Sequence, residues 1–145
     1  MSQRHILHVD DDANDLLLFQ HACRKVGVSC QLHAVNDGEE AIAYLQGANH
    51  FADREQYPLP NLILLDLKMP RLSGFDVLAW LRHEEKCRWL PVIVLSSSNH
   101  EADVQRAYSL GANSYLVKPV AFDSLVEIVQ AIERYWLTLN VQNQA

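Results

Sequence analysis

Acidic, hydroxyl and amine side chains follow four short apolar stretches of this 145-residue chain. Three consecutive acids, Asp10 to Asp12, follow the first stretch, and a single Asp66 follows the second. Ser96 follows the third stretch and Lys118 the fourth. If the stretches are parallel strands of one sheet, their carboxyl ends meet at one edge, where open α/β sheets place their ligand sites. Carboxylates, a hydroxyl and an amine gathered there could hold a divalent cation and a phosphoryl group.

The carboxylates of this set predict a site for Mg²⁺. Carboxylates buried together repel one another and raise one another's pKa values unless a cation neutralises them. Mg²⁺ binds one or two carboxylates together with phosphoryl oxygens and water, whereas Zn²⁺ prefers His and Cys. Asp10, Asp11 and Asp66 therefore suit Mg²⁺ better than they suit Zn²⁺.

The hydrophobic pattern alternates between short apolar runs and helical spacing. Five strands are predicted, at residues 6–9, 30–35, 61–66, 92–95 and 114–117. Each is followed by a helical pattern, and the last helix has an apolar stripe of Leu125, Val129, Ile132 and Trp136. Such alternation implies right-handed crossovers and a sheet covered by helices on both faces. The predicted fold class is α/β, a doubly wound parallel sheet in a three-layer sandwich.

Local signals mark two helix starts and one long connection. Ser73 with Asp76 three residues later is a variant of the capping box, and Ser98 with Glu101 predicts a second capping box. Residues 46–60 form a polar, proline-flanked stretch that is longer than the usual connection between a helix and a strand. Loops of that length are often functional or mobile.

Composition predicts one globular domain that binds neither nucleic acid nor membrane. Hydrophobic residues make up 49% of the chain and charged residues 21%, which is typical of a globular protein. The formal net charge of -6 disfavours unspecific binding to nucleic acid or anionic lipid, which needs concentrated Lys and Arg. The first residues do not resemble a signal peptide, no apolar run has membrane-spanning length, and three cysteines are an odd number. We therefore expect reduced thiols and a cytoplasmic protein.

The order of these residues resembles the receiver domain of two-component response regulators. The matching features are the acidic pair, an isolated Asp in the motif D-x-K-M-P, a Ser after an apolar strand, and the motif Y-x-V-K-P. They extend from residue 4 to about residue 139, nearly the whole chain. The resemblance implies a flavodoxin-like fold with strand order 2-1-3-4-5. It also implies that residues 1–145 are a single receiver domain with a core of about 4–139 and a short C-terminal tail.

The resemblance implies a phosphoacceptor and a metal site. Asp66 would accept a phosphoryl group from the histidine of a sensor kinase, with Mg²⁺ as cofactor. Asp11 would bind the metal directly and Asp10 through water, together with Asp66. The backbone carbonyl of Lys68 would complete the ligands. Such a domain is a signalling module, and its only reactions would be phosphoryl acceptance and autodephosphorylation.

Three further residues receive roles from the same resemblance. Lys118 would form an ion pair with the acylphosphate, and Ser96 would donate a hydrogen bond to it. Tyr115 would be the ring that changes position after Ser96 moves. Lys68 and Ser98 occupy positions that border the attacking water in receivers, so the lifetime of the phosphorylated form is left open.

Less specific features resemble the single-domain regulators that partner bacterial phytochrome kinases. These features are the long stretch before the third strand and the segments S-S-S-N-H-E-A-D-V and E-R-Y-W-L-T-L. Such regulators form homodimers through their fourth and fifth helices and fifth strand, so we expect a homodimer with Tyr135 or Trp136 near the contact. The alternative is that Trp136 folds back onto the sheet edge. Output would pass through contacts with an unknown downstream protein.

Two other functions agree with parts of the sequence. Asp10 and Asp12 match the D-x-D motif of haloacid-dehalogenase-type phosphohydrolases, with Asp10 as nucleophile and with Ser96 and Lys118 in place of later motifs. No acidic pair follows Lys118, and the length leaves no room for a cap domain, which weighs against that family. The other alternative is a pseudo-receiver that only dimerises or docks. Asp12 and Asp15 have no assigned role, and Asp12 is expected near solvent at the start of the first helix.

Overall fold

Strands and helices alternate along residues 3–143, the part of the chain that the computed structural model describes. The strands are β1 (Arg4–Val9), β2 (Cys30–Val35), β3 (Leu62–Leu65), β4 (Val92–Ser96) and β5 (Ser114–Val117). The helices are α1 (Ala13–Val26), α2 (Gly38–Gln46), α3 (Gly74–Arg82), α4 (Glu101–Ser109) and α5 (Phe122–Ile132). A short 3₁₀ turn spans Asn49–Phe51, and a π-helical segment, Glu133–Leu139, continues α5. The predicted alternation is confirmed.

The strands form a parallel sheet in the order β2-β1-β3-β4-β5. Val9 of β1 lies beside Leu65 of β3, and Leu65 lies beside Val94 of β4. At the outer pair, Ser96 lies beside Val117 of β5. This register aligns the carboxyl ends of the strands, and the strand order confirms the predicted flavodoxin-like fold.

Both faces of the sheet are covered by helices. Ile63 and Leu65 pack in the cluster formed with α2, α3 and α4, whereas Leu62 and Leu64 pack in the cluster formed with α1 and α5. All four of these side chains are at most 1% exposed. Each contributes about 2 kcal/mol through the burial of apolar surface. Because neighbouring residues enter opposite cores, β3 must be apolar throughout, as the sequence pattern predicts.

One of the two predicted capping boxes forms. Ser73 accepts a hydrogen bond from the Asp76 amide at the start of α3, and the Asp76 carboxylate accepts one from the Ser73 amide. The box predicted at Ser98 is wrong, because α4 begins later and His100 precedes it without a side-chain cap. Ser98 stays in the loop between β4 and α4, where its hydroxyl donates to Oδ2 of Asp103 at 2.6 Å.

Residues 46–60 are an irregular connection that is tied to the end of α2. The Arg54 guanidinium donates to the backbone carbonyls of Tyr44, Leu45 and Tyr57 at 2.7–3.0 Å. Carbonyls in the last turn of a helix lack the usual partner within the helix, and Arg54 donates to two of them, although the Tyr44 carbonyl also accepts from the Gly47 amide. The Tyr57 ring also packs edge-on against the ring of Tyr44, with 5.9 Å between centroids. The long connection is therefore packed against the end of α2 at the edge of the hydrophobic core.

Arg82, the last residue of α3, joins segments at the amino ends of β4 and β5. Its guanidinium donates to the carbonyl oxygen of Gly111 at 2.7 and 3.0 Å and to that of Leu90 at 2.7 Å. It also donates to the Asn113 side chain at 2.9 Å, which accepts in turn from the Val92 amide at 2.8 Å. Gly111 has a φ of 104°, and a Cβ there would lie 2.8 Å from Nε of Arg82. These contacts fix the starts of both strands to α3.

The predicted apolar stripe of the last helix is buried as far as Ile132, together with Leu125 and Val129. Trp136 lies in the π-helical segment and is partly buried against the same core, while Tyr135 beside it is 52% exposed. Within residues 3–143, none of the helices has the length and apolar character needed to cross a membrane.

Candidate functional site

The ends of four strands bring the predicted site residues to one edge of the sheet. The Asp66 amide donates to the carbonyl oxygen of Val9 at 3.0 Å, and the Lys118 amide donates to that of Ser96 at 2.8 Å. The pattern of sheet hydrogen bonds thus continues one residue past β3 and β5. These bonds fix the backbone of Asp66 and Lys118 at the carboxyl edge of the sheet. The side chains of Asp10, Asp66 and Lys118 meet in the crevice there, and Ser96 lies at the same edge as the last residue of β4.

Three carboxylates converge in this crevice. Asp10, Asp11 and Asp66 each offer an oxygen, and these oxygens lie within 4.8 Å of one another. Asp10 and Asp66 are buried and Asp11 is exposed. Oδ1 of Asp10 accepts from the Asp12 amide at 2.9 Å, and Oδ1 of Asp66 accepts from the Leu67 amide at 2.9 Å. The predicted acidic cluster is therefore present, with its two buried members held by backbone amides.

The cluster is deficient in positive charge. Burial, helped by the charge of the neighbouring Asp10, raises the pKa of Asp66 to about 6, although Lys118 and the Leu67 amide act to lower it. Burial also raises the pKa of Asp10, against the hydrogen bonds it accepts from Lys118 and the Asp12 amide. A dication would remove the conflict that raises these pKa values. The donors are carboxylate oxygens, and one of the three residues is open to solvent, so the set fits Mg²⁺.

Lys118 is the cation that reaches these acids. Its Nζ lies 2.7 Å from Oδ2 of Asp10, 2.8 Å from Oδ2 of Asp15 and 3.5 Å from Oδ2 of Asp66. Burial alone would lower the pKa of Lys118, but the hydrogen bonds to Asp10 and Asp15 outweigh burial and raise it. The ammonium group therefore stays charged at neutral pH. It forms ion pairs with the acids that follow β1 and β3 and with one acid of α1.

Asp15 is a member of the site that sequence reasoning did not assign. It lies in the first turn of α1, and 103 residues separate it from Lys118. An acid in the first turn of a helix is ordinary charge complementarity with the helix dipole, so its type and place held no signal of this contact. Asp12, by contrast, is exposed and caps α1 through the Asn14 amide, as expected.

Ser96 and Tyr115 both contact Ser98. The Ser96 side chain is fully buried, and its Oγ accepts from the Ser98 amide at 3.2 Å. The Tyr115 hydroxyl donates to the Ser98 carbonyl at 2.8 Å, and its ring packs against the core on the α4 side. Any displacement of Ser98 therefore alters contacts of both residues. The sequence predicted the pair but not the residue that connects them.

Lys68 has a side-chain contact that the sequence did not predict. Its Nζ lies 3.2 Å from Oδ2 of Asp103, the oxygen that also accepts from Ser98. This ion pair links the loop after β3 to the first turn of α4 across the mouth of the crevice. The metal-ligand role of the Lys68 carbonyl stays a prediction.

Gly74 allows α3 to begin directly against the end of β3. Its amide donates to the Leu67 carbonyl at 2.9 Å. A Cβ at this position would overlap the carbonyl oxygen of Asp66 and would lie 2.8 Å from Cα of Leu67. The position of the Asp66 backbone therefore depends on a residue without a side chain at the start of α3.

Comparison with known proteins places this geometry in a family. The family model described as the response regulator receiver domain matches residues 6–130. Response regulator Rcp1 of Synechocystis sp. is 38% identical over 132 residues, which cover 91% of this chain and 88% of that protein. The crystal structure of its Mn²⁺-bound form has a TM-score of 0.85 at 36% identity, over 97% of this chain and 99% of that one.

Two other solved structures match nearly the full length of both chains. The phosphorylated cyanobacterial phytochrome response regulator RcpA has a TM-score of 0.89 at 35% identity, over 97% of this chain and 99% of that chain. The response regulator RPA3017 in red light signalling of R. palustris has a TM-score of 0.92 at 37% identity, over 98% and 99%. The resemblance found in the sequence motifs thus extends to the whole fold.

Proposed function

This chain belongs to the response regulator receiver family and is homologous to phytochrome response regulators, and on that premise we propose that Asp66 accepts a phosphoryl group from a sensor histidine kinase. One observation supports this choice above the others. Asp66 is a buried carboxylate at a strand end, next to two further acids and within 3.5 Å of the Lys118 ammonium.

The neighbours of Asp66 suit phosphoryl transfer. With a pKa of about 6, Asp66 is mostly ionised at neutral pH and can act as the nucleophile. Asp10, Asp11, Asp66 and the Lys68 carbonyl would hold Mg²⁺, which when bound supplies positive charge to the phosphoryl oxygens. Lys118 donates to the product acylphosphate, and its charge offsets the charge that the phosphoryl group adds.

The switch would act through Ser96 and Tyr115. The Ser96 hydroxyl leaves its contact with the Ser98 amide to donate to a phosphoryl oxygen. Loss of that contact frees the loop that Tyr115 holds through the Ser98 carbonyl. Tyr115 then changes position, and the surface of α4 and β5 changes with it.

The relatives supply the proposed partners. Because the matched structures include phytochrome response regulators, the kinase is proposed to be of the phytochrome type. The chain acts as a single receiver domain in the cytoplasm and signals through a homodimer and a downstream protein. It is a phosphoacceptor whose reactions are limited to taking up and losing its own phosphoryl group. The matched relatives favour this function over a phosphohydrolase with Asp10 as nucleophile or a pseudo-receiver.

Intact mass spectrometry tests the proposal. Incubation with acetyl phosphate and Mg²⁺ should add one phosphoryl group to the parent and none to Asp66→Asn. Asp12→Asn is a matched control because Asn caps a helix as well as Asp does, and it should be labelled like the parent. A label on Asp10 that persists in Asp66→Asn would support the phosphohydrolase instead, and an unlabelled parent would support the pseudo-receiver.

A further inference from the structure

Lys118 is shared unequally among three carboxylates. The ammonium group has three N–H donors. Two of its contacts are at hydrogen-bond distance, to Asp10 at 2.7 Å and to Asp15 at 2.8 Å, whereas Asp66 is 3.5 Å away. The proposed acceptor is therefore the most distant of the three partners.

Asp15 has no competing polar contact among the described residues. Lys118 is the partner of its side chain in residues 3–143, and the contact is an ion pair with a hydrogen bond. The Asp15 side chain is 34% exposed, whereas that of Lys118 is 16% exposed. The pair is thus partly shielded from water. This shielding makes the attraction between the two charges stronger than it would be on the open surface.

We propose that Asp15 is a positioning residue that draws Lys118 toward α1 and competes with a phosphoryl group on Asp66 for its ammonium. This inference rests on the proposed function of Asp66. A phosphoryl group adds about 1.5 to 2 negative charges and three strong acceptors. Lys118 must divide its donors between these acceptors and Asp15. The contact with Asp15 therefore stabilises the unmodified protein relative to the modified one.

The inference predicts tighter binding of a phosphoryl analogue when Asp15 loses its charge. The probe is beryllofluoride, which binds aspartate carboxylates in place of a phosphoryl group, titrated at saturating Mg²⁺ and followed by fluorine NMR. Asp15→Asn keeps the size of the side chain and should bind the probe about three- to tenfold more tightly than the parent. Asp15→Glu restores the charge and should return the affinity toward that of the parent.

The matched control separates the contact with Lys118 from general electrostatics. Asp12→Asn removes one charge from the same turn of the chain, but Asp12 faces the Asn14 amide and makes no ion pair with Lys118. Its affinity for beryllofluoride should change by less than about twofold. Equal effects of Asp12→Asn and Asp15→Asn would overturn the inference, and so would weaker or unchanged binding by Asp15→Asn.

Beryllofluoride titrations of the parent and of Asp66→Asn distinguish failure of this inference from failure of the proposed function. If beryllofluoride binds the parent and not Asp66→Asn, the acceptor is correct whatever Asp15 does. If beryllofluoride binds the parent and Asp66→Asn equally well, Asp66 is not the acceptor and the proposed function is wrong. Because Asp15 is a partly exposed residue of a helix surface, Asp15→Asn should fold, and its thermal unfolding curve provides the check.

Discussion

Burial and opposing charges act together on Asp66. Desolvation raises its pKa from 3.8 to about 6, even though Lys118 lies close by. The folded protein therefore binds the Asp66 proton more tightly than the unfolded chain does. Ionisation of this group costs the folded state free energy that increases as the pH rises from about 4 through 6. The acid is destabilising at neutral pH, as expected of a residue kept for its chemistry.

Asp66→Asn should therefore make the protein more stable at pH 7. At about 1.4 kcal/mol per pKa unit, the gain in the free energy of unfolding is on the order of 1–3 kcal/mol without divalent cations. It should shrink as the pH falls from 6 to 4 and vanish well below the unfolded-state pKa of 3.8, where Asp66 is protonated in both states. Urea denaturation at several pH values measures it. A variant no more stable than the parent at pH 7 would contradict the raised pKa.

Site residues differed in how far the sequence revealed them. Asp10, Asp66, Ser96 and Lys118 each follow an apolar run, and the common edge of a parallel sheet makes their meeting predictable. Asp15 does not follow an apolar run. It is an acid in the first turn of a helix, a position where acids are common. Its role depends on a contact between elements far apart in the chain, which local patterns do not encode.

At the scale of elements, α3 is placed by close backbone contact. Ser73 caps the helix, and Gly74 lets its first turn lie against the end of β3. Strands and this cap were predictable because continuous apolar runs and capping residues are local properties of the sequence. The box at Ser98 failed because the Tyr115 hydroxyl and Asp103 hold that residue in the loop. Arg54 was missed because one arginine in a polar stretch does not indicate which helix end it will reach.

Gly74→Ala should impair the site through the backbone. The added Cβ would overlap the Asp66 carbonyl, so α3 or the loop must move. Overpacking of this kind costs about 1–3 kcal/mol, and phosphoryl acceptance from acetyl phosphate should fall at least about tenfold.

Gly27→Ala is the control for this prediction. Gly27 has a φ of 79° with open space around its Cβ position, so alanine there is strained by about 1 kcal/mol but far from the crevice. It should lower thermal stability and leave acceptance unchanged. If Gly74→Ala accepts phosphoryl as fast as Gly27→Ala, the backbone argument is wrong.

At the scale of the whole molecule, the C-terminal segment exposes several large apolar side chains among the residues that the structure describes. Tyr135 is 52% exposed, Leu139 55% and Val141 90%, while Trp136 packs edge-on against Tyr135 with 5.0 Å between centroids. Trp136 also contacts the core on the α5 side, so both interpretations of its role agree with part of the structure. An exposed apolar cluster of this size favours a contact between copies.

Sedimentation at micromolar concentration should therefore show a dimer. Replacing Tyr135 and Trp136 together by Ala should weaken it by at least about tenfold, because aromatic residues dominate such contacts. Leu17→Ala is a matched control, since Leu17 is a 47% exposed apolar residue of α1 and is not part of this segment. A parent that sediments as a monomer with and without beryllofluoride would exclude the dimer.

The Arg82 contacts make the two ends of the β4–β5 pair unequal in stiffness. At the amino end, Arg82 donates two hydrogen bonds to the Gly111 carbonyl and one to the Asn113 side chain, which in turn accepts one from the Val92 amide. At the carboxyl end, the loop after Ser96 is held through one residue, Ser98, which is hydrogen-bonded to Ser96, Asp103 and Tyr115. If α4 and β5 rearrange, we therefore expect the amino ends of β4 and β5 near Arg82 to stay in place and the loop after Ser96 to move most. Amide hydrogen exchange should be slowest at Val92 and Asn113 and faster by orders of magnitude at Ser98 and His100, with the gradient lost in Arg82→Ala.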